Sequence, residues 1–172
     1  MAVIIFLRNL KLKTFTEQNA SDYCQINNIN SNDIKTLVLN NNELTDISGI
    51  KIFKNLEELF LDYNNISNIS VLKDLNNLKK LHINDNKITN ISIIKNLKQL
   101  QDLRLDNNKI TDIFVIQYLI NLIILCINYL ELESDQIQYI NSFNNLYELR
   151  CYKGFKDMDI INQLNSNIKM WI

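Results

Sequence analysis

A right-handed α/β solenoid is the fold this sequence predicts, with a parallel sheet on its concave face and short 3₁₀ or irregular returns on its convex face. One phrase is written four times, beginning at Ile34, Leu56, Leu78 and Leu100 with a constant spacing of 22 residues. A fixed period of this size marks stacked units, none of which buries its apolar face alone. Each phrase has the spacing Leu-x-x-Leu-x-Leu (Ile34 opens the first) and closes on an asparagine: Asn42, Asn64, Asn86 and Asn108. Apolar residues three apart follow, as in Ile66, Ile69, Leu72 and Leu75, and that spacing suits a 3₁₀ return.

Taken in order, the chain reads as one domain over 1–172. Residues 1–33 form an N-terminal cap and degenerate repeat. Leu7-Arg-Asn-Leu10-Lys-Leu12 copies the strand spacing 27 residues before Ile34, and Met1 to Phe6 adds a covering strand. The extra length holds a helix with Thr16 as N-cap, Glu17 in its first turn, and Ala20, Tyr23 and Cys24 on neighbouring turns. In the four regular repeats, 34–121, alternate strand residues take opposite faces. The leucines point inward, and Phe60, His82 and Arg104 point out. The closing asparagines form a structural ladder, since an amide carries both donors and an acceptor for turn backbone that is otherwise buried and unpaired.

Residues 122–172 are irregular C-terminal repeats and cap. In the fifth repeat Leu130 replaces the ladder asparagine, and the next phrase starts 24 residues after Leu122, with Glu131 to Gln136 absorbing the excess. The sixth has Cys151 inward, Gly154 in the asparagine position and Met158, Ile161 and Leu164 in its return. Ile168 to Trp171 opens a seventh strand, placing Trp171 near the solenoid end as partial cover.

Strand, asparagine turn and short return in 22 residues resemble the leucine-rich repeat family. The resemblance is to its short class, found in regulatory subunits of protein phosphatase 1 and in bacterial internalins. Ile110-Thr-Asp-Ile113 and Ile66-Ser-Asn-Ile69 are especially similar to internalin repeats. The resemblance implies a non-catalytic protein-binding scaffold. Its two more specific implications are a phosphatase-1 regulatory subunit and an internalin-like surface adhesion protein.

Composition excludes several other classes. Eighteen basic and 19 acidic residues leave a net charge of −1, so no overall field draws in nucleic acid or anionic lipid. Asparagine and isoleucine each supply roughly one residue in six, the bias of an AT-rich coding sequence. Cys24, Cys126 and Cys151 are odd in number and irregularly spaced, which fits a reducing compartment rather than a disulfide framework. The apolar start has no basic leader or small-residue cleavage site, so cytoplasm or nucleus is expected. The run from Phe114 to Ile127 is too short and too interrupted to span a bilayer.

Function is therefore expected in the variable residues between the leucines. Strands about 4.8 Å apart align them in rows. The central row is Lys11, Val38, Phe60, His82, Arg104, Cys126 and Arg150, bordered by Asp62 and Asp106 on one side and Ile124 on the other. Phe60, Tyr63, His82 and Arg104 are of the types that dominate binding hot spots, and Ile124, Cys126, Tyr129 and Arg150 continue the partner-binding face. Arg104 also stands between Asp102 and Asp106, which offers it a partner within its own strand. His82 is the sole histidine, with no oriented nucleophile or converging ligand set around it, so neither catalysis, a metal nor a cofactor is expected. Cys126 stands between two arginines, which leaves open a reactive thiolate or an inert exposed thiol. Ile123, Ile124, Cys126 and Tyr129, with Phe114, Tyr118 and Ile120 on the approach, make the fifth repeat apolar; they form either an exposed patch or a surface covered by the irregular repeats.

Overall fold

The computed structural model describes residues 3–7, 9–164 and 166–171. These form eight strands: β1 (Val3–Phe6), β2 (Ile34–Val38), β3 (Glu58–Phe60), β4 (Lys80–His82), β5 (Asp102–Arg104), β6 (Ile124–Cys126), β7 (Glu148–Arg150) and β8 (Lys169–Trp171). They pair in chain order, and every pairing is parallel. From β2 to β6 each strand pairs with residues 22 positions on, so the sequence period is the sheet register.

The repeated 3₁₀ segments are Ser48–Ile52, Ser70–Asp74, Ser92–Asn96 and Phe114–Tyr118. Each is led in by an Asx turn: Oδ1 of Asp46, Asn68, Asn90 and Asp112 accepts the N–H two residues on, at 2.7–2.9 Å. Between sheet and returns runs one continuous core. Leu59, Leu61, Ile66, Leu72 and Leu75 and their counterparts one repeat on, Leu81, Ile83, Ile88, Ile94 and Leu97, are all fully buried. Each such side chain contributes about 1.5–3 kcal/mol of burial.

The asparagine ladder has the geometry its spacing implies. Asn86 donates Nδ2 to the carbonyls of Leu61 (3.0 Å), Ile83 (3.3 Å) and Asn84 (3.0 Å), and its Oδ1 accepts the Ile66 N–H at 2.9 Å. Asn64 and Asn108 repeat this arrangement on the neighbouring coils, and Asn42 does so toward Leu7, Leu10 and Leu12. The residue before each asparagine turns the chain in the left-handed region: Asn41, Tyr63, Asp85 and Asn107, with φ of 53–57°. Tyr129 keeps that conformation, but Leu130 after it is buried and has no amide. Among the described residues nothing replaces the missing oxygen opposite the buried Ile110 N–H. One coil later the Gly154 carbonyl does, accepting the Leu132 N–H at 2.7 Å. A Cβ on Gly154 would lie 2.9 Å from the carbonyl oxygens of Cys151 and Ile127, so only glycine fits there.

The N-terminal coil differs from the expected register. The first strand is Val3–Phe6, with Ile5 opposite Leu37 and Phe6 opposite Val38. Met1 and Ala2 of the expected covering segment lie outside the described residues. The segment that copies the strand spacing is, in its described residues Asn9 to Leu12, the turn: Asn9 and Lys11 have φ of 61° and 55°, and Leu10 occupies the ladder position. The β-branched run Val3-Ile-Ile is the better strand former. Central-row Lys11 is therefore replaced by Phe6. Helix α1 (Glu17–Ile26) starts where expected, with a capping box between Thr16 and Asn19 and with Ala20 and Cys24 buried. Its N-cap backbone crosses Gly49, whose added Cβ would stand 2.3 Å from the Thr16 carbonyl oxygen. The later returns place Val71, Ile93 and Val115 at this position, so glycine is required only where the cap passes over.

The excess length of the fifth repeat is taken up by Ser134–Gln136 and the short helix α2 (Ile137–Asn141). At the far end β8 is one residue off the expected spacing, with Met170 opposite Leu149. Trp171 stands opposite Arg150, half-exposed at the end of the central concave row, rather than as cover for the solenoid end.

Candidate protein-binding face

The sheet register aligns Phe6, Val38, Phe60, His82, Arg104, Cys126, Arg150 and Trp171 across the concave face. Phe60 and His82 meet edge to face, ring centroids 4.8 Å apart and planes at 87°, a favoured aromatic arrangement. Arg104 grips Asp102 with two hydrogen bonds, Nε to Oδ1 at 3.0 Å and Nη2 to Oδ2 at 3.1 Å. His82 Nε2 also lies 3.0 Å from Asp102 Oδ2, and it is buried without an aligned hydrogen bond. Its contact with the carboxylate is close but out of line for a hydrogen bond. Burial alone would raise the Asp102 pKa; the contacts with His82 and Arg104 outweigh it and hold the carboxyl at about 2.

Asp102 is the residue the sequence pattern undervalued. It was legible as the in-strand neighbour of Arg104, two positions away on one face, but nothing local announced that its side chain is nine-tenths buried. The remaining charges near the strand starts are paired too. Glu57 holds Lys35 (3.0 Å) and Lys79 (2.6 Å), Glu58 holds Lys80 (2.8 Å), and Glu148 holds Arg150 (2.7 Å).

Asp62 and Asp106 belong to a second ladder along the strand ends. Oδ1 of Asn40, Asp62, Asn84, Asp106 and Asn128 each accepts a backbone N–H on the next coil, at 2.7–2.9 Å. Burial pushes both aspartate pKa values up. Tyr63 and Tyr129 stand just outside this ladder, 57% and 50% exposed.

Cys126 is corrected by the structure. It is 1% exposed, since a short side chain in this row sits below its longer neighbours, and burial pushes its thiol up to about 12. It is neither a reactive thiolate nor an exposed contact. Cys24 and Cys151 are buried as well. Thiol-reactive dye at pH 8 should therefore label the folded protein far more slowly than the same protein in denaturant, by at least about a hundredfold. Rapid labelling of one thiol in the folded state would contradict this burial.

The apolar fifth repeat is exposed, but it is not one patch. Phe114 and Tyr118 lie on the convex return, edge to face at 5.7 Å, with Tyr139 5.3 Å from Phe114. Ile120 and Ile123 are exposed where the chain enters β6, and Ile124 is half-buried. Tyr129 is at the opposite end of that strand, 5.4 Å from Tyr152. Among the described residues no three His, Cys, Asp or Glu side chains converge as a metal site, and no helix is long and apolar enough to cross a membrane.

The family profile described as leucine-rich repeats in two copies matches residues 32–74 and 76–118. The chain belongs to the leucine-rich repeat family. No curated protein matches the sequence. Among solved structures, internalin F of Listeria monocytogenes is similar at 27% identity and a TM-score of 0.74, over 80% of this chain and 41% of that one. A leucine-rich repeat protein of Leptospira interrogans is 26% identical, with a TM-score of 0.71, over 96% of this chain and 41% of its own. Internalin C2 of Listeria monocytogenes matches at 24% identity and a TM-score of 0.75, covering 96% and 79%; that likeness is one of fold. The chain thus spans about two-fifths of the first two structures. Leucine-rich repeat proteins of the internalin type generally mediate protein–protein interaction, on a scaffold that is typically non-catalytic.

Proposed function

We propose that this leucine-rich repeat protein is a non-catalytic adaptor that binds another protein through its concave face, centred on Phe60, His82 and Arg104. The observation that carries the reading is the preorganised cluster itself. An aromatic pair and a bidentate Arg–carboxylate pair stand side by side on a rigid sheet, and fixed side chains lose little entropy on binding. Half-exposed Phe6 and Trp171 extend the same row to either side. Three unpaired, buried thiols support a reducing compartment, cytoplasm or nucleus. The 27% identity to internalin F favours a second reading, an internalin-like surface adhesion protein. The phosphatase-regulating reading rests on the 22-residue repeat class alone.

The test is quantitative affinity capture with the wild-type protein and a Phe60→Ala, His82→Ala, Arg104→Ala variant, both checked for folding by circular dichroism. A partner held by the wild type should be lost from the variant. Phe60→Ala alone, which leaves the charge pairs intact, should weaken it by about tenfold or more. A partner retained unchanged by the triple variant would sink the reading.

A further inference from the structure

The turn after each strand repeats one left-handed residue, and the occupants of that row are unequal. Asn41, Asp85 and Asn107 suit it, because short polar side chains tolerate this backbone region. Tyr63 and Tyr129 have no such compensation at φ of 57° and 59°, and both rings are exposed, so core packing does not require them.

The adjoining ladder shows an independent departure. Asn40, Asn84 and Asn128 perform its accepting role with a neutral amide. Asp62 and Asp106 accept the same backbone bond as half-buried carboxylates that burial disfavours in charged form, and each also accepts from an amide, Asn40 Nδ2 at 3.2 Å for Asp62 and the Asn128 side chain for Asp106. Among the described residues neither of them, nor Asp85 between them, makes an ion pair. The Arg104 guanidinium gives Nε and Nη2 to Asp102, and its charge acts on Asp62 and Asp106 without an ion pair to either. Exposed aromatics in strained backbone and carboxylates outside any ion pair lie within the coils of β3 to β6: Tyr63 and Asp62 on that of β3, Asp106 on that of β5 and Tyr129 on that of β6.

From this we infer that the partner presents a cationic segment, rich in Lys or Arg, which crosses the strand ends between Tyr63 and Tyr129. The inference rests on the concave face being the binding surface and adds the chemistry of its occupant. Aromatic faces and desolvated carboxylates are what an ammonium or guanidinium group prefers. Three strand spacings separate the two tyrosines, about 14 Å, the reach of about four extended residues. Lys153, over the Tyr152 ring at 5.8 Å, puts like charge beyond Tyr129 and limits the segment on that side.

A labelled oligolysine peptide tests this at low ionic strength, with oligoglutamate as the opposite-charge control. Tyr63→Asn with Tyr129→Asn changes no charge and gives the turn a residue that suits it, so the variant should unfold at no lower temperature than the wild type. It should nevertheless bind oligolysine about tenfold more weakly, and Asp62→Asn with Asp106→Asn should weaken binding at least as much. Oligoglutamate should not bind. Unchanged oligolysine affinity in the tyrosine variant, or equal binding of oligoglutamate, overturns the cationic segment. Either result leaves the concave-face reading standing, because that falls only if the Phe60, His82, Arg104 variant keeps its partner.

Discussion

Asn86→Ala is expected to destabilise the protein by about 2–4 kcal/mol, a large part of the stability of a domain this size. The change removes four hydrogen-bonding contacts at one buried side chain. The lost pairs are worth only about 0.5–1.5 kcal/mol each in net terms. The larger cost is what remains: the Ile66 N–H loses its amide partner inside the turn, at about 1–3 kcal/mol, whereas the Leu61 carbonyl keeps Asn64 Nδ2 at 2.9 Å. Ile66 belongs to the preceding coil, so the damage spreads across a repeat boundary. Urea denaturation should show a lower midpoint with an unchanged m-value. Asn121→Ala, which removes one exposed bond to the Lys98 carbonyl, supplies the contrast, with an effect within about 0.5 kcal/mol. Equal midpoints for the two variants would mean the ladder carries no more than a surface contact.

Asp102→Asn should cost about 2 kcal/mol at neutral pH and almost nothing near pH 2. The sign follows from the folded state holding this carboxyl at about 2 against an ordinary value of 3.8. A lowered folded pKa stabilises the protein fully above the unfolded value, and the contribution fades as pH falls from about 4 to 2. The variant should therefore show a flatter loss of stability through that window, read from denaturation midpoints at successive pH values. Asp62 and Asp106 act in the opposite sense. Burial raises their pKa, so the folded state gains relative stability as they are protonated and loses it as pH rises through their titration. An acid-stability curve as steep in the variant as in the wild type would remove Asp102 from its place as the electrostatic centre of the face.

Much of this architecture was legible because identical residues perform identical tasks. The spacing of Leu59, Leu81 and Leu103 is the register of the sheet, and Asn64, Asn86 and Asn108 make the same bonds on successive coils. The first coil misled because Leu7, Leu10 and Leu12 copy the strand spacing while lying in a turn; only pairing of Ile5 with Leu37 separates the two. The second ladder was hidden by composition, since an alternation of Asn and Asp from Asn40 to Asn128 carries little signal in so asparagine-rich a chain. Cys126 shows a limit of a different kind. Alternation assigns a side chain to a face, but neighbouring side chains decide whether that face leaves it accessible. The same applies to Asp102, whose charge is ordinary in sequence and becomes central through burial beside His82 and Arg104.

Leu130 gives the molecule a seam. On the inner turn, each pair of neighbouring coils from the first onward is laced by a side-chain amide, until the lacing stops between Asn108 and Leu130. Adding or removing a whole coil at any earlier boundary must re-form that lacing. At the seam the inner amide is missing, and the two coils are joined instead by the strand-end ladder, where Asp106 accepts the Asn128 N–H at 2.7 Å, and by the Gln136 amide oxygen, which accepts the Ile113 N–H at 3.0 Å. A change of length there has one fewer ladder amide to match than at any earlier boundary.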